Sequence, residues 1–219
     1  MTMALRDKLV STAKKMSALG LTPGMSGNVS VRTSSGMLVT PSGMPYEDLV
    51  SDDAVAVQLD GTIRPGQRAP SSEWQLHRDI LASRKDVEAI VHTHSLFSTT
   101  LSMLRRSIPA VHYMVVLAGG DEIPCADYAT FGSAQLAVNV VAALAGGDAC
   151  LMANHGMVAL GADLPAALRL AAEVETLASQ YWHAAQLGPP HVLGKAELDD
   201  ARRQFAAYGQ RRPRARRSW

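Results

Sequence analysis

Two histidines one residue apart, His92 and His94, close the run Ala89-Ile90-Val91. That run is apolar and β-branched, as suits a short buried strand. Side chains alternate along a strand, so both imidazoles leave from one face, a single pleat apart. Two imidazoles on one face can share a cation, although two strand histidines can equally sit on a solvated face. An open catalytic zinc site has three protein ligands and one exchangeable position. The third candidate is His155, in Ala153-Asn154-His155-Gly156, where two apolar strands turn and an idle exposed ring is the alternative.

Glu73 opens the next question. It follows Ser71-Ser72 at the start of a helix, where Ser72 and Gln75 have the spacing of a capping box. Acidic residues are common in first turns because the helix dipole favours them, so Glu73 can be purely structural. Beside a cation it can instead serve as general acid and base. Three clusters of small residues, Ser26-Gly27-Asn28, Ser42-Gly43 and Ser71-Ser72, offer backbone N–H groups and hydroxyls to a phosphate. Singly each is a turn or a cap; together they exceed what folding needs. There is no Walker A loop and no Rossmann glycine fingerprint. His77 shares a helix face with Trp74 and Ile80, which suits packing or a core hydrogen bond. Tyr113, after His112, either packs or offers its phenol to a reacting oxygen. Arg78 and Arg105 fall in expected helices with solvated faces, leaving no cation beside these motifs for a second carboxylate.

The elements that must position these groups follow from periodicity and punctuation. A helix is expected over 3–19, stopped at Gly20, and a hairpin over 29–40. A strand over 54–59, the capped helix from Ser72, the histidine strand and a helix over 95–104 come next. His112 and Tyr113 lie in a strand-like run over 110–118, broken by Gly119-Gly120 and Ile123-Pro124. A helix over 133–144, strands over 149–154 and 156–160, a long helix to about Leu187 with Pro165 in its first turn, and a helix over 197–208 complete the chain. Hairpins with interspersed helices imply one largely antiparallel sheet covered by helices, an α+β fold.

The order of these motifs closely resembles the class II aldolase/adducin family, and within it the L-fuculose-1-phosphate aldolases. The carriers are Ser26-Gly27-Asn28-Val29-Ser30, Thr40-Pro41-Ser42-Gly43, Ser71-Ser72-Glu73, His92-Thr93-His94, His112-Tyr113, Gly119-Gly120 with Ile123-Pro124, and Asn154-His155-Gly156. The resemblance implies a three-layer α/β/α domain over 1–209 and zinc, one per chain, on His92, His94 and His155. It implies Glu73 as the catalytic acid/base and a phosphate cradle of Asn28, Ser42, Gly43, Ser71 and Ser72. Tyr113 would act at the aldehyde end from a neighbouring subunit of a homotetramer, and Tyr208 matches a second tyrosine of the aldolases. The implied reaction is reversible cleavage of a ketose 1-phosphate to dihydroxyacetone phosphate and a short aldehyde. The rivals are decarboxylation of a phosphorylated 3-oxo-tetronate, pentulose-phosphate 4-epimerisation, and a non-catalytic adducin-like interaction module.

Bulk composition agrees. The 219 residues are 47% hydrophobic and 19% charged, enough for one large core and against disorder. Of the net charge of +1, five arginines lie in 210–219, so the remainder is near −4 and no nucleic-acid-binding core is expected. That basic tail reads as a solvated, disordered end. Cys125 and Cys150 form no disulfide framework or Cys-x-x-Cys and read as small core residues. No apolar run reaches spanning length and no signal peptide is evident, so a cytoplasmic protein without a membrane partner is expected.

Overall fold

A computed structural model describes residues 3–207. The tail over 210–219 and Tyr208 lie outside the described residues. Seven strands form one sheet in the order β3-β2-β1-β4-β7-β6-β5. They are β1 (Asn28–Thr33), β2 (Gly36–Val39), β3 (Val55–Gln58), β4 (Ala89–Thr93), β5 (Cys125–Ala126), β6 (Ala149–Met152) and β7 (Gly156–Gly161). All neighbouring pairs are antiparallel except β5 with β6. The expected hairpin, α-helices and largely antiparallel sheet are present.

Alternation divides the core between the two faces. Val29, Val31, Leu38, Ala89, Val91, Met157 and Ala159 share one apolar cluster with residues of α1 (Met3–Ala18) and α5 (Leu164–Leu187). The intervening Met37, Val39, Ile90, Val158 and Leu160 share the other with α2 (Trp74–Ser83) and α4 (Ala134–Ala143). This gives helix, sheet and helix layers. The stripe Ala167, Leu168, Ala171, Val174, Leu177, Ala178 buries α5, whose start is capped by Asp163 accepting from Ala166 N–H at 2.7 Å. Pro165 sits in the first turn, where its missing N–H costs nothing. Gly20, at φ +70, ends α1 in the left-handed conformation that favours glycine.

Four expectations need correction. Ser72 caps nothing: Glu73 occupies the N-cap position of α2, and Trp74 N–H donates to Ser71 C=O instead. The run over 110–118 is not a strand but contains a 3-10 helix, Tyr113–Ala118. Met114 N–H donates to His112 Nδ1, a local bond that competes with strand pairing and outweighs the β-branched pair Val115-Val116. The two-residue strand β5 follows Pro124, where only a break was read; such a short edge strand is held by its neighbour rather than by pattern. Finally, Arg105 lies beyond α3 (Leu96–Ser102) at φ 52, not in the helix.

Candidate metal centre and active site

Register brings the site together. Asn28 on β1 pairs directly with His92 on β4, and His92 pairs with Val158 on β7. The even-numbered residues Asn28, Ser30, Ile90 and His92 therefore share the sheet face beneath α2. His94 leaves just past the end of β4, and His155 stands in the tight turn between β6 and β7, after Asn154 in a left-handed conformation (φ 55). Gly27 allows the close approach of the first loop, because a Cβ there would lie 2.6 Å from the carbonyl oxygen of His92.

The three imidazoles converge, each pair of rings edge-on with centroids 4.8 to 5.0 Å apart. His92 Nε2 is 3.0 Å from His94 Nε2 and 3.0 Å from Glu73 Oε2, while His155 Nε2 is 3.3 Å from Glu73 Oε1. The candidate ligand atoms of Glu73, His92, His94 and His155 all lie within 4.8 Å of one another. His92 Nδ1 lies 2.9 Å from the carbonyl oxygen of Met157, which fixes the ring and turns Nε2 into the cluster.

Burial pushes the Glu73 carboxyl up, but His92, then His155 and the Asn28 hydrogen bond, hold it well below the usual carboxylate range. Burial pushes His92 down, and the Glu73 carboxylate reverses this and raises it. Burial, then the charges of His92 and His155, lower His94 to about 3; burial and then His92 lower His155 to about 4. Both rings present lone pairs. Glu73 Oε1 is buried without a hydrogen-bond partner. A buried carboxylate oxygen without a hydrogen bond, 3.3 Å from His155 Nε2 and grouped with two further imidazoles, belongs to a donor set that fits a borderline-soft divalent cation such as zinc.

Two further contacts hold the ligand-bearing backbone. Glu175 on α5 accepts from Ser95 Oγ, Phe97 N–H, Ser98 N–H and Ser98 Oγ at 2.7 to 2.8 Å, tying down the start of α3 just after His94. At its other end, Ser102 accepts from Asn154 N–H on its carbonyl (3.1 Å) and from His155 N–H on its hydroxyl (3.3 Å). Sequence reasoning passed over both residues, since a glutamate inside an amphipathic helix and a serine ending one carry no distinguishing spacing.

A cavity of about 390 Å³ opens onto the cluster, lined by Glu73, His94 and His155 together with Asn28, Ser42, Gly43, Ser71 and Ser72. The loops carrying these residues are joined, Ser71 N–H donating to Thr40 C=O and Ser42 N–H to Ala69 C=O, both at 3.0 Å. Tyr46, buried, donates to Gly27 C=O at 2.6 Å and shapes the first loop. Tyr128 and Phe131, neither foreseen, form an exposed aromatic wall of the same cavity. Arg105 donates to Asn154 Oδ1 at 2.9 Å and stacks 5.6 Å over Tyr128, so a cation does stand beside these motifs. Tyr113 does not line the cavity; it is 50% exposed and stacked between His112 and Phe205. His77 makes the core hydrogen bonds expected of it, to Ser30 and Asn28.

Residues 7–182 match the family described as Class II Aldolase and Adducin N-terminal domain. A 5-methylthioribulose-1-phosphate/5-deoxyribulose-1-phosphate aldolase of Rhodospirillum rubrum is 50% identical over 206 residues, 94% of this chain and 93% of that protein. An L-fuculose phosphate aldolase of Escherichia coli is 43% identical over 208 residues, covering 94% and 96%. Among solved structures, an L-fuculose 1-phosphate aldolase superposes with a TM-score of 0.90 at 36% identity, covering 94% of this chain and 98% of its own.

Proposed function

Because this chain belongs to the class II aldolase and adducin family, we propose that it cleaves a ketose 1-phosphate in a zinc-dependent retro-aldol reaction. The products are dihydroxyacetone phosphate and a short aldehyde. The observation that carries this reading is a single cavity with three imidazoles and an orphaned carboxylate oxygen at one end and five candidate phosphate-binding residues beside them. The 50% identity to the R. rubrum aldolase supports 5-methylthioribulose 1-phosphate or 5-deoxyribulose 1-phosphate as the substrate to test first, before L-fuculose 1-phosphate.

His92, His94 and His155 would hold the cation, which when bound supplies a Lewis acid for negative charge developing on the ketone oxygen. Asn28, Ser42, Gly43, Ser71 and Ser72 bind the phosphate and hold the reacting end in register with the cluster. Glu73 returns a proton to the carbon that cleavage leaves electron-rich, or removes it in the direction of synthesis. Tyr113 passes a proton to and from the aldehyde oxygen. Its exposure outside its own cavity supports a role in the site of a neighbouring subunit, and so a homotetramer. Among the described residues no helix is long and apolar enough to cross a membrane.

One observation favours a second reading. Arg105, bonded to Asn154 and stacked over Tyr128, both of which line the cavity, would set a cation near a departing carboxylate, as decarboxylation of a phosphorylated 3-oxo-tetronate requires. A solved structure described as a putative aldolase/epimerase/decarboxylase of Escherichia coli is 28% identical with a TM-score of 0.80. The deciding assay incubates purified protein with dihydroxyacetone phosphate and acetaldehyde, methylthioacetaldehyde or lactaldehyde. Formation of a ketose 1-phosphate is expected. Release of carbon dioxide from the oxo-tetronate phosphate, with no carbon–carbon bond formed to any aldehyde, would establish the decarboxylase instead.

A further inference from the structure

His77 lies one helical turn beyond Glu73 on α2 and is fully buried. Both of its ring nitrogens have partners: Nδ1 is 2.6 Å from Ser30 Oγ, and Nε2 meets Asn28 Oδ1. Asn28 Nδ2 in turn donates to Glu73 Oε2 at 3.1 Å. Asn28 and Ser30 are two apart on β1, so one sheet face presents both to the same imidazole. The result is a chain of four polar side chains, Ser30–His77–Asn28–Glu73, with all three of its links buried in the protein interior.

Its polarity is forced from the carboxylate end. An ionised carboxylate only accepts, so Asn28 must turn its nitrogen to Glu73 and its oxygen to His77. An amide oxygen also only accepts, so His77 Nε2 carries the proton. In a neutral ring Nδ1 then accepts, and the Ser30 hydroxyl donates. Burial, and after it the charge on His92, hold His77 down to about 3, which keeps the ring neutral. An apolar side chain at position 77 would leave Asn28 Oδ1 and Ser30 Oγ without partners. The amide could then rotate and set its oxygen against the carboxylate, acceptor against acceptor.

We propose that His77 is a positioning residue that locks the Asn28 carboxamide with its N–H toward Glu73 and thereby fixes the orientation of that carboxylate. The role rests on Glu73 being the acid/base, and it touches neither substrate nor reacting atoms. Glutamine is the informative replacement, because its amide carries one donor and one acceptor end and can bridge Ser30 and Asn28 as the imidazole does. Leucine fills similar space and can do neither.

The test has two arms. In metal-free protein labelled with ¹⁵N-histidine, His77 is expected to show a protonated Nε2 and an unprotonated Nδ1, unchanged down to about pH 5. The opposite tautomer, or an imidazolium at neutral pH, overturns the proposal. In the zinc-loaded enzyme, His77→Leu is expected to lose roughly 10- to 100-fold in kcat, the scale of a misplaced catalytic group, and His77→Gln to recover most of that loss. Equal losses in the two variants at equal melting temperature, or wild-type kcat in His77→Leu, overturn it. Should His77→Leu not fold, the tautomer decides alone. That arm requires no turnover, so a wild-type chain inactive on every ketose 1-phosphate refutes the aldolase reading without touching the hydrogen-bond chain.

Discussion

Acid should destabilise the metal-free protein steeply, and His77 allows the amount to be worked out. In the folded chain, burial and then the charge on His92 keep a proton off this ring until about pH 3. An unfolded histidine takes one up near pH 6.5. Between those values the unfolded state binds a proton that the native state excludes, so stability falls with pH by about 1.4 kcal/mol per unit. Going from about pH 6.5 to 5 therefore costs roughly 2 kcal/mol through His77 alone, a large share of a typical 5–15 kcal/mol. His94 and His155, lowered to about 3 and 4, act with the same sign, but both are partly solvated and add only a screened fraction. His92 is raised, so its contribution is complete below the unfolded value and is lost only as pH rises through its folded one; it stays constant across the window. Glu73, lowered, begins to lose its contribution only as pH falls into the ordinary carboxylate range. Urea unfolding in the presence of a chelator, at both pH values, measures the drop, and His77→Gln should shrink it by about 2 kcal/mol. Equal stability at the two pH values, or an identical drop in His77→Gln, would refute the reasoning.

Other outcomes test the site directly. Elemental analysis of protein purified without added metal should find about one zinc per chain, and resupplying zinc at about 100 times its Kd should stabilise chelated protein by roughly 2.7 kcal/mol. Activity indifferent to chelation would contradict this. Glu73→Gln should keep its metal and lower turnover by roughly 10²–10⁴-fold; proton exchange of dihydroxyacetone phosphate with solvent at the wild-type rate would exclude Glu73 as the base. Glu73→Gln and Tyr113→Phe subunits, each impaired alone, should regain activity when mixed and allowed to exchange. A monomer mass for active enzyme in light scattering would rule that out.

Much of the site was legible because it rests on strand alternation. His92 and His94 had to share a face, and Asn28 and Ser30 had to share the one that meets them once β1 paired with β4. The helices α1, α4 and α5 were legible from apolar stripes and from glycine and proline punctuation. What failed was decided by bonds that composition does not encode. Ser72 has the right spacing for a cap, yet the helix starts one residue later because Trp74 N–H finds Ser71 C=O. Val115 and Val116 favour a strand, yet His112 Nδ1 starts a 3-10 turn. Arg105 continues a helical pattern, yet it adopts a left-handed conformation and reaches Asn154, about fifty residues away in sequence and invisible to any local window.

The short helix α3 ties two of the imidazoles into one mechanical piece. Its start, clamped by Glu175, carries His94, and its end, through Ser102, carries the turn that bears His155. Glu73 and Asn28 line the same cavity from α2 and β1, and β1 is itself paired with the histidine strand β4. The entropy of bringing the His94 and His155 rings together is spent when the chain folds, before any ion arrives. A substitution at Glu175, which does not line the cavity, would release the start of α3 and with it the segment that bears His94.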